Sequence, residues 1–181
     1  MFVGLSCFAQ SSLFSNTVKS YANWEIVNKE AVWQYVFPSK IKSKVALEEA
    51  VIAFLKQNTS IQNIVVKNTE ITADISKLKI DYKKYGGSSS YTSQAFVNGL
   101  WSGKLLIEIV DGSYDAIVSN MSFDVEHKSL NSGDGIMGTN NGRGAWTSSV
   151  LNKDHQAFKD GKKVDMEIFN KALMDIFDLK K

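Results

Sequence analysis

Residues 94–125 read QAFVNGLWSGKLLIEIVDGSYDAIVSNMSFDV and give the clearest structural signal in the chain. Apolar and small side chains recur at every second position, which is the period of a β-strand. On the first strand this set comprises Val97, Gly99, Trp101, Gly103, Leu105, Ile107 and Ile109. The stretch predicts two long antiparallel strands joined by a tight turn. The glycines on either side of Trp101 predict close approach by another element, which we expect to be a helix.

The turn between these two strands determines their register. A three-residue loop at 110–112, with its glycine in the left-handed region, would set Leu105 opposite Ile117 and bring apolar side chains together. A two-residue Asp-Gly turn would instead set Glu108 opposite Asp115. Like charges directly opposite each other are unfavourable, so the sequence favours the three-residue loop. The same register sets Trp101 opposite Met121, Gly99 opposite Phe123 and Val97 opposite Val125.

Two stretches upstream of this hairpin have clear patterns. Residues 31–37, AVWQYVF, are β-branched and aromatic and are closed by Pro38, which predicts a strand. Residues 44–57 carry their apolar side chains on one helical face, which predicts an amphipathic helix. Ser43 is placed to cap its first turn and Asn58 to end it.

Further strands are predicted at 61–68 and 70–82, and the apolar phase of the second changes near Ser76-Lys77. A change of phase by one residue indicates a β-bulge or a turn. Residues 164–179 form a second amphipathic helix, with Asp165 as its expected cap. The order of strand, helix, antiparallel strands and helix predicts an α+β fold with helices on one face of a sheet.

The domain organisation predicted from the chain is simple. Residues 31–181 form a single domain, preceded by a signal-peptide remnant at 1–9 and an N-terminal extension at 10–30. In the extension, one side of a short helix would comprise Phe14, Val18, Tyr21 and Trp24. Residues 126–163 lose periodicity and are rich in Gly, Asn, Ser and Asp, which predicts a long irregular insertion before the last helix. Such a loop is either functional or disordered.

Composition excludes several classes of function. The formal net charge is only +2, and Arg143 is the single arginine among 21 basic residues. Nucleic-acid readers use arginine for bidentate contacts, so we expect no nucleic-acid partner. No apolar run approaches the roughly 18–20 residues that a membrane span requires. Cys7 is the only cysteine, which leaves no internal disulfide and no thiolate metal cluster.

The first nine residues, MFVGLSCFA, are apolar and end in small residues. Cys7-Phe8-Ala9 before Gln10 fits a signal-peptidase site, which predicts an exported protein of the periplasm or the extracellular space whose mature chain begins at Gln10. Two alternatives are a buried N-terminal strand and a lipoprotein acylated at Cys7. The second is weakened by Gly4, which stands where a lipobox has an aliphatic residue.

The order of elements and several residues resemble a family of exported bacterial domains of unknown function, commonest in Bacteroidota, with a TATA-binding-protein-like fold. The matching pieces are Val36-Phe37, the Ser43–Asn58 helix, residues 71–82, Trp101 to Lys104, Asp111-Gly112 with Tyr114, Asn120 to Phe123, and the closing helix. The resemblance covers about residues 30–125 and 164–180. It implies a curved antiparallel sheet with two helices packed on one face, and it implies export. It supplies no catalytic residues, and the fold alone does not imply DNA binding.

Metal and phosphate sites have little support. His127 and His155 are the only histidines, and they lack the close spacing typical of zinc ligands. The segment 131–135 resembles part of a calcium loop, but Ser129 and Asn140 stand where the first and last acidic ligands belong. The glycine-rich segment 138–144 lacks the Lys-Ser/Thr of a phosphate loop. The sequence therefore predicts no cofactor and no metal.

A catalytic site is equally hard to assemble. Asp124 and Glu126 lie on one face of a strand, where paired carboxylates can perform acid–base chemistry. Charged residues at the solvent-facing end of a strand are far commoner. We therefore expect a non-enzymatic binding or structural module of the cell envelope. The alternative is an envelope hydrolase that uses acidic residues, including Asp134, with His127 from the 126–163 loop.

The candidate partner-binding residues lie in that same loop. Trp146 is an aromatic on a polar loop, which is typical of an anchor for a protein partner or a sugar ring. The alternative is that it packs back onto the sheet. With Arg143 and Asp134, it marks the predicted binding surface, together with the open side of the sheet. The partner would be an envelope protein or a glycan.

Overall fold

A computed structural model describes residues 20–125 and 142–179 of the chain. These residues form one antiparallel sheet with helices packed on one face, so the predicted α+β class is confirmed. The strands are β1 Trp24–Val27, β2 Glu30–Pro38, β3 Ile61–Lys67, β4 Glu70–Leu78, β5 Gly99–Val110, β6 Ser113–Val125 and β7 Gly142–Ala145. The helices are α1 Lys44–Gln57, α2 Gln94–Val97, α3 Trp146–Val150 and α4 Lys163–Phe177.

The strands follow the order β1-β2-β6-β5-β4-β3. β2 pairs with the first half of β6, and β7 pairs with residues 122–125 at its far end. Because β5 occupies the other side of β6 along its length, β7 lies in line with β2. β1 and β3 therefore form the two outer strands of the described sheet.

The register predicted for the β5–β6 hairpin is wrong. Val110 pairs with Ser113, so Asp111-Gly112 forms a two-residue turn in which Gly112 has φ of 72°. Leu105 consequently pairs with Val118 instead of Ile117. The Asp-Gly dipeptide is a strong signal for a two-residue hairpin, and this local preference determines the pairing.

The same register places Glu108 opposite Asp115, the arrangement judged unfavourable from the sequence. Asp115 is half-buried, and Gln34 Nε2 donates a hydrogen bond to its Oδ2 atom. Burial raises the pKa of Asp115, and the hydrogen bond from Gln34 lowers it in part. The hydrogen bond from Gln34 satisfies one oxygen of this carboxyl group and offsets part of the cost of the pairing.

Two bulges adjust the apolar phase of the long strands. One lies between Ile75 and Leu78, where Lys77 has φ of 53°, and it confirms the irregularity predicted near Ser76-Lys77. The other lies at Asn120 of β6, with φ of 51°. The two-residue turn and this bulge together pair Trp101 with Phe123 rather than with the predicted Met121, and Gly99 with Val125. The bulge keeps the apolar side chains of β6 that follow Asn120 on the buried face of the sheet.

Helix α1 forms at the predicted positions. Ser43 is its N-cap, and its hydroxyl oxygen accepts a hydrogen bond from the N–H of Ala46 at 3.4 Å. Asn58 is the C-cap. The residues of α1 that are fully buried against the sheet are Leu47, Val51 and Leu55.

Helix α4 also forms as predicted, but Asp165 does not cap it. The N-cap is Lys162, and Asp165 lies buried in the first turn. Its Oδ1 atom accepts a hydrogen bond from the N–H of Ser93 at 3.2 Å, and its Oδ2 atom lies 3.2 Å from Lys162 Nζ. Asp165 therefore attaches the segment before α2 to α4. This contact joins positions 72 residues apart, so no local pattern could indicate it.

The core contains a cluster of aromatic rings around Phe169 of α4. The ring centroids of Trp24, Phe96, Trp101 and Trp146 lie 5.3, 5.4, 4.4 and 5.2 Å from that of Phe169. All five side chains are at most 1% exposed. Such tilted and edge-to-face contacts stabilise a core beyond the apolar area that they bury.

Two segments expected to be irregular or helical carry strands instead. Trp24 begins β1 and pairs with Trp33, so the sheet starts seven residues before the predicted domain boundary at residue 31. Within the predicted insertion 126–163, the described part holds β7, α3 and a short turn of 3-10 helix at Asp160–Lys162. Strands of four residues are too short to show a period of two.

Gly99 lies where another element approaches closely, as predicted. A Cβ atom there would overlap the carbonyl oxygen of Ala95 in α2, the helical turn that replaces the first residues of the predicted strand. At Gly103 the close neighbour is the side chain of Met121 instead of a helix. None of the helices in the described ranges has the length and apolar character needed to cross a membrane.

Candidate functional site

A concave part of the described surface lies between β2 and the C-terminal half of α4. It is a groove of about 470 Å³, which we call the β2–α4 groove. Its lining residues are Tyr35, Phe37, Pro38, Tyr85, Lys171, Met174, Asp175 and Asp178. Aromatic and apolar side chains thus form most of the walls, with charged groups at the rim, which is the usual composition of a ligand site.

One wall of the groove is the buried-face side of β2. The rings of Tyr35 and Phe37 meet edge to face, with centroids 4.7 Å apart. Phe37 in turn stacks on Tyr114 of β6 at 5.1 Å. Because Phe37 is 4% exposed and held between two rings, this wall is rigid.

The opposite wall combines α4 with the loop after β4. Tyr85 donates a hydrogen bond from its hydroxyl to Asp175 Oδ2 at 2.9 Å, and Lys84 Nζ lies 2.5 Å from the same oxygen. Met174 contributes a flexible thioether, whose sulfur accepts a hydrogen bond from Asn23 Nδ2 at 3.6 Å. On this wall, the ring of Tyr85 is held by its hydrogen bond, whereas the side chain of Met174 beside it can change its rotamer.

The sheet edge beside this groove has no neighbouring strand among the described residues. β1 pairs with β2 only as far as Trp33, and the N–H of Gln34 still donates to Asn23 O at 2.9 Å. The chain then turns: Tyr21 and Trp24 exchange two hydrogen bonds of 2.9 Å, and Ala22 has φ of 52°. No strand of the described ranges pairs with the outer side of residues 35–38.

The face of the sheet opposite the helices, called the open face here, is acidic. Its basic side chains in the paired strands are Lys67, Lys104 and Arg143. Its acidic side chains there are Glu25, Glu30, Glu70, Asp74, Glu108, Asp115 and Asp124. Its central apolar pair is Leu106 with Ile117. Among the described residues, no three His, Cys, Asp or Glu side chains come together as a metal site.

Two of the residues predicted as a binding surface, Trp146 and Arg143, lie in the described ranges, and they do not share one surface. Trp146 is fully buried in the aromatic cluster, so it packs back onto the sheet and offers no surface anchor. Arg143 is exposed on the open face and pairs with Asp124, Nε to Oδ1, at 3.0 Å. Asp134, Glu126 and His127 lie outside the described residues.

Of the two histidines and the two glycine-rich segments considered for metal or phosphate, the structure describes only His155 and residues 142–144. His155 Nδ1 lies 2.9 Å from Lys29 O, at a half-buried position where φ is 54°. The segments 131–135 and 138–144 fall outside the described residues, apart from 142–144 in β7. The groove residues were missed because Tyr35, Tyr85 and Met174 are far apart in sequence and each has an ordinary local pattern.

These features define an α+β protein with a TATA-binding-protein-like fold, as the sequence resemblance implied. One similar solved structure is a TBP-like protein from Parabacteroides distasonis ATCC 8503, with 15% identity, a TM-score of 0.53, and coverage of 84% of this chain and 94% of that chain. Another is a DUF4468 family protein from Bacteroides ovatus ATCC 8483, with 12% identity, a TM-score of 0.45, and coverage of 83% and 81%. No family model and no curated protein matches the chain.

Proposed function

We propose that this protein is a non-enzymatic binding module of the bacterial cell envelope and that the β2–α4 groove is its binding site. The observation that carries the proposal is the groove itself, with its rigid aromatic wall, its adaptable methionine and its charged rim. Apolar walls with a few polar groups at the rim exclude water from a ligand and still orient it. The envelope location follows from the predicted signal-peptide remnant at 1–9.

The charge of the open face supports a partner other than nucleic acid. The TATA-binding protein contacts the minor groove of DNA with strands of its sheet. Here the open face carries Glu70, Glu108 and Asp115 in one row across β4, β5 and β6. Phosphate contacts require Lys and Arg, so an acidic row at this position would repel a duplex.

Site-specific photocrosslinking tests the groove. Replacing Tyr85 by p-benzoylphenylalanine places a light-activated group at the groove wall. The matched control is Tyr91 in the same loop, which is 65% exposed and does not line the groove. In cells that naturally produce the protein, we expect a discrete covalent adduct from position 85 and none from position 91.

The pattern of crosslinking at positions 85 and 91 supports or contradicts the groove as the binding site. An adduct confined to position 85 supports the groove as the binding site. Equal labelling from both positions, or labelling from neither, contradicts the proposal. Thermal unfolding of both substituted proteins checks that the loss of the Tyr85–Asp175 hydrogen bond has not unfolded the domain.

A further inference from the structure

We infer that the ligand of the β2–α4 groove is an extended peptide segment of a partner protein, which pairs with the uncovered edge of β2 and inserts one apolar side chain into the groove. This inference rests on the proposed function and specifies its ligand. It combines two features that adjoin in space, namely a sheet edge that no strand of residues 20–125 or 142–179 covers and a groove lined by the residues of that edge.

The direction of the backbone groups on β2 follows from its hydrogen bonds. The N–H of Gln34 points outward to Asn23 O, whereas the N–H of Ser39 points inward to Gly112 O beside β6. In an antiparallel strand the N–H and C=O of one residue point to the same side, and the side alternates along the chain. The N–H and C=O of Val36 therefore point outward, on the side from which β1 has departed.

Before Pro38, this edge carries few of the features that protect most sheet edges, among the residues that the structure describes. Natural edges are blocked by lysine, by proline, by bulges or by a covering loop, and Pro38 ends the open part of β2. β3, the outer strand at the other side of the sheet, has two of these: a register shift at Asn63, with φ of 54°, and Lys67 at its end. Residues 35–37 of β2 are regularly paired with β6 and carry no charge. A polypeptide is the ligand whose donors and acceptors match such an edge.

The groove determines the side chain that the peptide presents. Side chains alternate along a strand, so every second residue of an added strand faces the same side as Tyr35 and Phe37. That residue would lie between Tyr35, Tyr85 and Met174. Apolar contact is available on three sides, so we expect a large aliphatic or aromatic residue there. The intervening residues would lie beside Val36, which is 53% exposed on the open face.

Phage-displayed random heptapeptides provide the test, with the mature protein as bait. We expect selected peptides to share one large apolar residue flanked by β-branched or polar residues and to lack proline beside it. The selected peptide is then titrated by fluorescence polarisation against wild type, Val36→Thr and Val36→Pro. Threonine keeps the backbone N–H and strand preference, whereas proline removes the N–H and is tolerated on an exposed edge.

We expect Val36→Thr to bind like wild type and Val36→Pro to bind about tenfold or more weakly, since one unmade hydrogen bond leaves a buried partner unpaired. A backbone N-methyl scan of the peptide on the wild-type protein avoids any effect of proline on folding. Weakening at every second position is the signature of strand pairing. Equal tolerance at all positions, or a loss on Val36→Thr equal to that on Val36→Pro, would overturn the inference.

The peptide selection and the photocrosslinking at position 85 test the ligand and the site separately. If no peptide is enriched while position 85 still yields a covalent adduct, the groove is a binding site and its ligand is not a peptide. If neither experiment gives a product, both the site and its ligand assignment are wrong.

Discussion

Tyr114 attaches the end of α4 to the sheet. Its hydroxyl donates to Phe177 O at 2.6 Å and accepts from the N–H of Leu179 at 2.8 Å. The side chain is 2% exposed, so both backbone groups depend on it. We expect Tyr114→Phe to lower the free energy of unfolding by about 1–3 kcal/mol, the usual cost of unpaired buried polar groups. Urea titration at neutral pH measures it, and an unchanged midpoint would contradict it.

The same tyrosine makes stability sensitive to alkaline pH. Burial raises the pKa of Tyr114 from 10.0 to about 12, although the hydrogen bond from Leu179 lowers it in part. Above pH 10 the unfolded chain loses this proton while the folded protein retains it, so the stabilising contribution declines until the pH exceeds about 12. Tyr114→Phe should therefore lose less stability than wild type across this window.

Asp115 and Asp74 lie on the same face of the sheet and should respond oppositely to neutralisation. Burial raises the pKa of Asp115, and its Oδ1 atom has no hydrogen-bond partner among the described residues. Hydrogen bonds from Asn63 and then Lys104 lower the pKa of Asp74. Asp115→Asn removes a half-buried charge and its repulsion from Glu108. It should therefore raise the free energy of unfolding at pH 7 by up to about 1 kcal/mol.

Asp74→Asn is the matched control and should lower stability at pH 7. The signs follow from linkage. A raised folded pKa contributes stability below the unfolded value of 3.8, and this contribution is lost as the pH rises. A lowered folded pKa contributes above 3.8, and this is lost as the pH falls. The difference in stability between each variant and the wild type should become smaller at acidic pH. Equal effects of the two substitutions at pH 7 would contradict the assignment.

Trp146 is a stability residue in this structure. It is fully buried and its ring lies 5.4 Å from that of Trp101 and 5.2 Å from that of Phe169. We expect Trp146→Ala to cost about 3–5 kcal/mol of unfolding free energy, as large-to-small core substitutions do. Trp146→Phe should cost far less, since the indole Nε1 has no acceptor in the described ranges. Similar chemical-denaturation midpoints for wild type and Trp146→Ala would refute this.

The contact between α2 and β5 depends on the absence of a side chain at Gly99. A Cβ atom there would overlap the carbonyl oxygen of Ala95, which is backbone and cannot rotate away. Gly99→Ala should therefore destabilise the protein by about 1–3 kcal/mol or more. Gly142 in β7 has no atom within 4 Å of such a Cβ, so Gly142→Ala should be nearly neutral. Thermal melts of the two variants, run together, compare them directly.

The elements predicted correctly are those whose signals are local and long. α1 and α4 each show several turns of apolar periodicity, and the phase change at Ser76-Lys77 marks a real bulge. β1 and β7 have four residues each, which is too few for a period to be visible. The predicted hairpin register is wrong because the turn preference of Asp-Gly outweighs the unfavourable pairing of Glu108 with Asp115.

The candidate site could not be predicted because it exists only in the assembled molecule. Loop composition pointed to Trp146, yet burial removes that residue from the surface. The groove instead joins residues of β2, the loop after β4 and α4, which are separated by up to about 140 positions. Within the described ranges, β1 leaves the edge of β2 at a turn at Ala22, whose positive φ has no distinctive sequence signal.

Export is the prediction that concerns the whole chain. If residues 1–9 are a signal-peptide remnant, the mature protein from its native host begins at Gln10 and contains no cysteine, because Cys7 is the only one. Intact-mass spectrometry of the protein recovered from the envelope fraction decides this. A mass that retains residues 1–9 would contradict export by this route, and a lipid adduct on Cys7 would identify a lipoprotein.

All four tryptophans of the chain are completely shielded from solvent. Their fluorescence should therefore be blue-shifted in the native state and move to the red in one step when the core opens. Trp101 and Trp146, with ring centroids 5.4 Å apart, form a close indole pair that should give a coupled circular-dichroism signal only when α3 is docked. The groove lining contains tyrosine and phenylalanine but no indole, so this emission reports mainly the folding of the core, and Trp33, 6.4 Å from the rings of Tyr35 and Phe37, is the indole nearest to those lining residues.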